Sequence, residues 1–373
     1  MTLIETVDNK KQLKAFIDFP HDLYKDDPNY VPELFIAQRD ILTPGKHPFH
    51  EHSSMQLFVA KKGGIITGRI AAILNNNHNK FNNTNVGFFG FFDSINDQNT
   101  ANRLFDSAAV WLKNKKVTGV IGPVNPSTNE PIGVLIDGFN KPPVAMMTYN
   151  KPYYVTLLEK YGFTKQVDLL AYDLDITTVN DRTLKLQDAL LRRLEQKNIF
   201  IRSINLKDFK ADVARVRETY NAAWDKNMGF VPMTGSEFNY LAKDLKMVLD
   251  ADFCLVAEHK DKMIGFALAI PDLNQILIKI KRGRLFPTGI LKLLFGAKKV
   301  KYLRVIALGV IENYRKMGIE ACFYAHMIKK GLTKGVTGGE ASWILEDNEM
   351  MNKAMQNING KVYKKYRLYE KAI

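Results

Sequence analysis

Along the chain, short apolar runs alternate with stretches in which apolar residues recur every three to four positions, the spacing of one helix face. Leu3 to Val7 reads as a strand, and Asn9 to about Lys25, with Leu13, Phe16 and Ile17 on one face, as a helix that stops before Pro28 and Pro32. MQLFVAKKGGIITGRIAAILN predicts two strands around a Gly63-Gly64 turn, because β-branched residues flank glycines that tolerate positive φ. The asparagine-rich residues 75–85 read as a solvent-facing loop. VGFFGFFDS is a further strand, and Asn99 to Lys115 an amphipathic helix that turns Leu104, Phe105, Ala108, Ala109 and Leu112 inward. VTGVIGPV is a strand leading into a Gly/Pro-punctuated surface that runs to Pro143. TLLEKYGF then reads as a short helix and KQVDLLAYDLD as a strand.

Residues 182–197 carry Leu184, Leu186, Leu190, Leu191 and Leu194 and read as a charged helix that links the halves or caps the second. The order of elements then repeats: NIFIRSI a strand, Asp208 to Asn221 a helix, and DFCLVAEHKDKMIGFALAIPD a hairpin like that of residues 55–75. VIALGV is a strand, Gly318 to Lys330 a helix, GGEASWI a strand, Asn348 to Asn357 a helix, and KVYKKYRLYEKAI a closing strand. Two similar α/β modules explain this order better than one large sheet.

A length of 373 residues suits two domains, and 46% hydrophobic residues with 22 Phe and 15 Tyr exclude a disordered or collagen-like chain. The net charge of +14 is unevenly placed: residues 1–177 hold 18 basic and 18 acidic side chains, residues 178–373 hold 35 and 21. An anionic ligand or surface is therefore expected at the second half. Cys254 and Cys322 each sit in an apolar run and read as buried thiols rather than a disulfide or metal pair. HPFHEH, with His47, His50 and His52, lacks a cysteine partner, and no metal is expected. Acidic residues precede any apolar stretch, and no run reaches the length of a membrane span, so the expected location is the cytoplasm.

The densest local chemistry lies in RVIALGVIENYRKMGIEACFYAHMIKKG, where a strand runs into a basic, glycine-containing loop and then a helix. Free N–H groups at a helix start hold pyrophosphate, glycine permits close approach, and Arg315 and Lys316 add charge. The GxxxxGK[ST] pattern of an ATP-type loop is absent. This segment resembles the acyl-CoA loop of the GCN5-related N-acetyltransferase (GNAT) superfamily, Arg/Gln-x-x-Gly-x-Gly/Ala. Arg315, Gly318 and Glu320 take the motif positions, and Ala321 follows one place later. With GPVNPSTNEPIG and EASWILEDN, the whole chain resembles a bacterial family with two tandem acetyltransferase-like modules.

That resemblance implies an α/β fold of two modules, each a mixed, mostly antiparallel sheet flanked by helices. Residues 1–177 would form a diverged module, 178–198 a linking helix and 199–373 the acyl-CoA module. It implies acetyl-CoA or another acyl-CoA as co-substrate, with Leu308, Gly309, Val310 and Ile311 along the pantetheine arm and Arg315, Lys316, Met317, Gly318 and Ile319 around the pyrophosphate. Glu346 and Asp347 are expected to cap the helix entered at Asn348, and Asn348 itself is the candidate to touch the pantetheine amides. In the first half, Ser94 to Gln98 replace the basic loop, and Asp93 and Asp97 would repel phosphate.

Acyl transfer to an amine needs a base for the nitrogen and an acid for the thiolate. Glu340 is the candidate base, or alternatively a structural or substrate-orienting carboxylate. The tyrosine that many family members carry four residues before the final glycine is absent, since Gln356 stands there; Tyr363, Tyr366 or Tyr369 on the closing strand could substitute, with Tyr363 the named candidate, or these tyrosines serve cross-strand packing. Asn125, Ser127, Thr128, Asn129 and Tyr149 could line a site for an amine or amino-acid-like substrate, or simply stitch their own loop. Residues 279–301 combine lysines with Leu285, Phe286, Ile290, Leu291, Leu293, Leu294 and Phe295: a solvated positive face, an attractor of anions, a membrane-touching helix or an acyl-chain lid. No nucleic-acid motif accompanies the charge, and a monomer or homodimer is expected. An N-acyltransferase is the leading reading; a non-catalytic CoA- or small-molecule-binding protein of the same fold is the alternative.

Overall fold

The alternation in the first part of the chain folds into a sheet with helices packed on it in the computed structural model, which describes residues 1–179, 181–224, 229–297 and 299–373, and of 181–187 the helical backbone alone. The order is β1 (Thr2–Thr6), α1 (Lys10–Leu23), α2 (Phe35–Ile41), β2 (Ser54–Lys62), β3 (Ile65–Leu74), α3 (Asn76–Asn82), β4 (Val86–Ser94), α4 (Gln98–Asn114), β5 (Gly119–Gly122), β6 (Val134–Asp137), α5 (Tyr153–Tyr161) and β7 (Thr164–Asp175). Asn9 and Gln12 cap α1 reciprocally, which marks its start in the sequence. The β2–β3 turn uses Gly63 and Gly64 at φ 57° and 81°, a conformation costly for any side chain with a Cβ.

The remainder contains α6 (Asp181–Glu195), β8 (Ile199–Ser203), α7 (Phe209–Trp224), α8 (Gly235–Lys246), β9 (Cys254–His259), β10 (Lys262–Pro271), α9 (Asn274–Leu277), α10 (Gly289–Ala297), β11 (Tyr302–Val310), α11 (Ile319–Thr333), β12 (Gly338–Leu345), α12 (Glu349–Asn357) and β13 (Lys361–Ala372). The fold is thus mixed α/β, with mostly antiparallel strands and helices on the sheets. The chain divides into two compact units, the first Met1–Leu170, Asn274–Phe295 and Lys364–Ile373, the second Ala171–Leu273 and Gly296–Tyr363. The expected linking segment, 178–198, contains α6; residue 180 and the side chains of 181–187 lie outside the described residues, as does residue 298 of the basic segment.

Within the first unit, β1, β2, β3 and β4 are antiparallel neighbours, β4 and β5 run parallel, and β13 adds antiparallel to β5 and β6. α4 lays Leu104, Phe105, Ala108 and Leu112 on this sheet, as the spacing predicts, while Ala109, also expected inward, is only half-buried. Within the second, β8, β9, β10 and β11 are antiparallel neighbours and β11 runs parallel to β12. α11 packs Ile319, Cys322, Phe323, Met327 and Ile328 on one side of it, and α7 and α8 pack Val216, Tyr220 and Phe238 with Val256 and Phe266 on the other. Both cysteines are buried thiols, and burial raises their pKa values, to about 12 for Cys254 and about 11 for Cys322.

One expectation fails plainly. The asparagine-rich segment is helix α3, not a loop, because its asparagines make end bonds and side-chain stitches. Asn75 accepts the His78 N–H at 3.0 Å and Asn79 accepts the Val86 N–H at 3.0 Å, while the buried His78 ring packs edge-on against Phe88.

Candidate functional site

The second unit's parallel pair opens at its carboxyl end. β11 and β12 are in register from Tyr302 opposite Gly338 to Val305 opposite Ala341 and no further, although the strands continue to Val310 and Leu345. A bulge in the β10–β11 ladder, between Leu268 and Ala269, falls where that pairing stops. Leu308, Gly309 and Val310 therefore lie on a strand segment that has β10 on one side and, among the described residues, no strand partner on the other. The Trp224 indole N–H donates to Leu308 C=O at 3.2 Å, and Ile311 N–H donates to Ile264 C=O at 3.0 Å.

Beyond this edge the chain makes a tight loop into α11. Lys316 and Gly318 have φ of 64° and 92°. The left-handed turn at Gly318, the helix N-cap, explains the glycine in the motif. Arg315 does not extend into solvent: its guanidinium donates to Val310 C=O at 3.1 Å and Ala223 C=O at 2.6 Å, so it ties the loop to the strand end. Lys316 is exposed, Met317 half-buried, and Ile319 fully buried in the core. Among the described residues no side chain caps α11, and the first bond from the helix to its N-cap is Cys322 N–H to Gly318 C=O. The N–H groups of Ile319, Glu320 and Ala321 thus precede the helical ladder, the arrangement that binds anions. The Glu320 carboxylate reaches its own N–H, which leaves those of Ile319 and Ala321 for an anion, and burial pushes its pKa up while the Arg315 charge opposes that rise.

The matching place in the first unit is filled. Asp97 caps α4 by accepting the Thr100 N–H at 3.2 Å and hydroxyl at 2.5 Å, and the Thr100 bonds hold its pKa down. Ser94 N–H donates to Tyr154 Oη, and Tyr153 Oη donates to Ser94 C=O. The open edge of β4 is taken by the chain itself, through Val124 N–H to Phe89 C=O at 2.8 Å and Phe91 N–H to Asn125 Oδ1 at 2.6 Å.

Glu340 and Tyr363, each a candidate on separate sequence grounds, meet in the second unit. Glu340 lies on β12 one residue before the last paired position and has no exposure to solvent. Tyr363, half-buried on β13, donates its hydroxyl hydrogen to one carboxylate oxygen, and Ser342 donates to the other at 2.5 Å. Arg304, on the same face of β11 and 3% exposed at its side chain, brings its Nε within 4.0 Å of the carboxylate and stacks over the Trp343 ring at 5.0 Å. Burial raises the Glu340 pKa, the Arg304 charge opposes that rise, and Asp272 adds to it. The result is a buried carboxylate bonded to the hydroxyl of a half-buried tyrosine.

The other candidate residues lie elsewhere. Asn348 is the N-cap of α12 and accepts the Met351 N–H at 3.1 Å, so its oxygen is engaged in the cap. Asn125, Ser127, Thr128, Asn129 and Tyr149 all belong to the first unit. Asn125 takes the Phe91 N–H, Ser127 Oγ accepts the Asn129 N–H at 3.2 Å, and Tyr149 donates to both oxygens of Asp27 at 3.0 Å. These bonds stitch the loop to its surroundings. Arg304 opens the segment RVIALGV and Ser342 lies within EASWILEDN, but neither occupies a position that marks it for chemistry, and Asp272 and Trp224 lie outside both segments. Among the described residues no group of three or more His, Cys, Asp or Glu could hold a metal ion. His47, His50 and His52 bond locally instead, His47 to the Phe49 N–H, His50 to Ile41 C=O and His52 to Ser53.

These features define an acetyltransferase-like fold of the GNAT type. Solved structures share it: a tandem GNAT protein from the clavulanic acid biosynthesis pathway matches 100% of this chain and 98% of its own at TM-score 0.56 and 10% identity. The GCN5-related glucosamine N-acetyltransferase region of a fungal multi-domain β-N-acetylglucosaminidase matches at TM-score 0.59 and 14% identity, over 100% of this chain, which spans only 38% of that one. No family model matches the sequence. The chain is 37% identical to protein YghO of Escherichia coli K12, over 100% of its own length and 95% of that protein's. It is 32% identical to bacterial ceramide synthase of Caulobacter vibrioides, over 97% and 95%. The chain belongs to the family of these two proteins.

Proposed function

We propose that the chain is an acyl-CoA-dependent N-acyltransferase built of two tandem acetyltransferase-like modules, of which the second binds acyl-CoA and the first, diverged, supports it. The observation that carries this reading is the open edge of β11 leading into the uncapped start of α11, with Gly318 and Lys316 between them. The groups there suit a pyrophosphate. Leu308 to Ile311 would flank the pantetheine arm, and the loop from Arg315 to Ile319 would surround the phosphates. A ceramide is a fatty amide of a long-chain amino alcohol, so the name of the Caulobacter relative supports a fatty acyl donor and a lipid-like amine as acceptor.

Bound acyl-CoA supplies an activated thioester carbonyl. Tyr363 and Glu340 move the proton: the Tyr363 oxygen accepts it from the attacking amine while its own hydrogen passes to Glu340. The N–C bond forms, the C–S bond breaks, and the proton returns through Tyr363 to the departing thiolate. Arg304 would stabilise the charged form of Glu340 before the proton arrives and after it leaves.

Calorimetric titration of the full chain with acetyl-CoA and palmitoyl-CoA tests the binding step. Gly318→Asp places a negative charge and a Cβ in the loop and should weaken binding at least about tenfold. Gly318→Ala carries the backbone strain without the charge and separates the two effects. Unchanged binding in Gly318→Asp rejects the loop as the phosphate site.

A further inference from the structure

The segment rich in lysine and apolar residues is anchored within the first unit. Arg284 donates to both oxygens of Asp18, at 2.8 and 3.1 Å, and stacks over the Phe35 ring at 3.5 Å. Arg282 pairs with Asp22, and Asn274 Nδ2 donates to Pro143 C=O at 2.9 Å. Between these anchors Gly283 has no room for a side chain, since a Cβ would stand 1.8 Å from Glu33 C=O. The anchors consume two of the segment's cations and fix the entry to α10.

Helix α10 is apolar on both faces. Ile290 and Leu293 are half-buried, whereas Leu291, Leu294 and Phe295, at the three-and-four spacing of one stripe, are 52%, 61% and 73% exposed. Phe286, in the turn before the helix, is 80% exposed. A helix facing water is expected to be polar on its outer side; this one carries Lys292 and otherwise hydrocarbon. Lys279, Lys281 and Lys292 accompany the stripe and are exposed, with the Lys292 amine resting on Lys279 C=O. The sequence has no acidic residue from 273 to 311, and Asp18 and Asp22, the carboxylates that meet the segment, are paired with its arginines.

We infer that Phe286, Leu291, Leu294 and Phe295 form a docking surface for an anionic lipid membrane, entered by the apolar stripe and held by the surrounding lysines. Nine residues of helix extend about 13 Å, so α10 lies in the interface plane. Among the described residues no helix is long and apolar enough to cross a membrane. Charge complementarity selects anionic lipid over a neutral apolar partner. The surface stands on exposure and charge alone and does not depend on acyl transfer, although it would deliver lipid substrates to such an enzyme.

Sedimentation of the full chain with vesicles tests this, comparing phosphatidylcholine alone with phosphatidylcholine containing phosphatidylglycerol. The chain should pellet with the anionic vesicles and be released by high salt. Phe286→Ser with Phe295→Ser should lower the partition coefficient at least about tenfold. Lys281→Glu with Lys292→Glu should do the same for the anionic vesicles. Thermal melts and acyl-CoA titration of the same variants should match the parent. Failure to bind anionic vesicles overturns the inference, as does binding that ignores both variant pairs. A self-association abolished by the phenylalanine variants, in a chain indifferent to vesicles, would assign the stripe to a second copy and also overturn it.

Discussion

Glu340 is a carboxylate that folding makes harder to ionise. Burial raises its pKa, so under the proposed base role the rate should rise with pH on a limb displaced upward from the ordinary glutamate range. Glu340→Gln should abolish that limb and lower turnover about 100-fold or more with acyl-CoA affinity retained. Tyr363→Phe, which removes the relay hydroxyl, should give a comparable loss. Rates with unchanged pH dependence in both variants would remove the pair from the reaction. The stability linkage has the opposite sense to a salt-bridged acid. The native state holds the proton longer than the unfolded chain, so stability falls as pH rises from the ordinary glutamate range through the raised pKa. Glu340→Gln should flatten that fall in denaturant titrations at stepped pH. Arg304→Met leaves the carboxylate without its cation and should displace the rate limb further upward. At this scale Glu340 and Gly318 are visible in the sequence because residue type and motif position mark them, whereas Tyr363 is marked only as one of three tyrosines on the closing strand. Arg304, Ser342 and Asp272 are not, since only cross-strand register and the fold bring them to the carboxylate.

The elements repeat the alternation of the chain closely. VGFFGFFDS is a strand over all its residues, and α4 buries the face its spacing names. Leu112 is fully buried and fills the space left open by Gly87 on β4, where a Cβ would stand 2.4 Å from its Cδ2. Leu112→Ala should therefore cost about 2–5 kcal/mol in chemical denaturation, whereas Gly87→Ala should destabilise by overpacking. A loss below about 1 kcal/mol for Leu112→Ala would contradict the packing of this helix. Helix α3 escapes sequence reading because asparagine is a poor interior helix residue but a good cap, and composition cannot tell which use a given asparagine has. Helix α8 lies between the second-half helix and its hairpin, where apolar spacing is weak and only the Thr234 and Glu237 capping box signals a start.

At the scale of the molecule, the chain is not divided by a single cut. Lys364–Ile373 and Asn274–Phe295 belong with the first unit, and a repeat read along the sequence cannot show such returns. Tyr366 and Tyr369 on β13 are fully buried there, and the Lys364 amine, also fully buried, donates to Gly138 and Lys141 carbonyls at 2.5 and 2.7 Å. A fragment of residues 1–177 exposes the edges that β13 covers and should show no cooperative thermal transition by circular dichroism; a sharp transition would contradict this allocation. The charge of the second half also acquires a finer meaning, since Arg282 and Arg284 anchor the segment before α10 to Asp22 and Asp18, while Lys316 stands exposed in the loop before α11. The reading of the chain as an enzyme rests on transfer of an acyl group, and release of free CoA thiol from palmitoyl-CoA in the presence of a long-chain amine tests it most directly. The full chain should release thiol only when the amine is present, and Glu340→Gln should suppress that release while still binding palmitoyl-CoA. No amine-dependent release across a series of acyl donors and amines, or full release by Glu340→Gln, would contradict it.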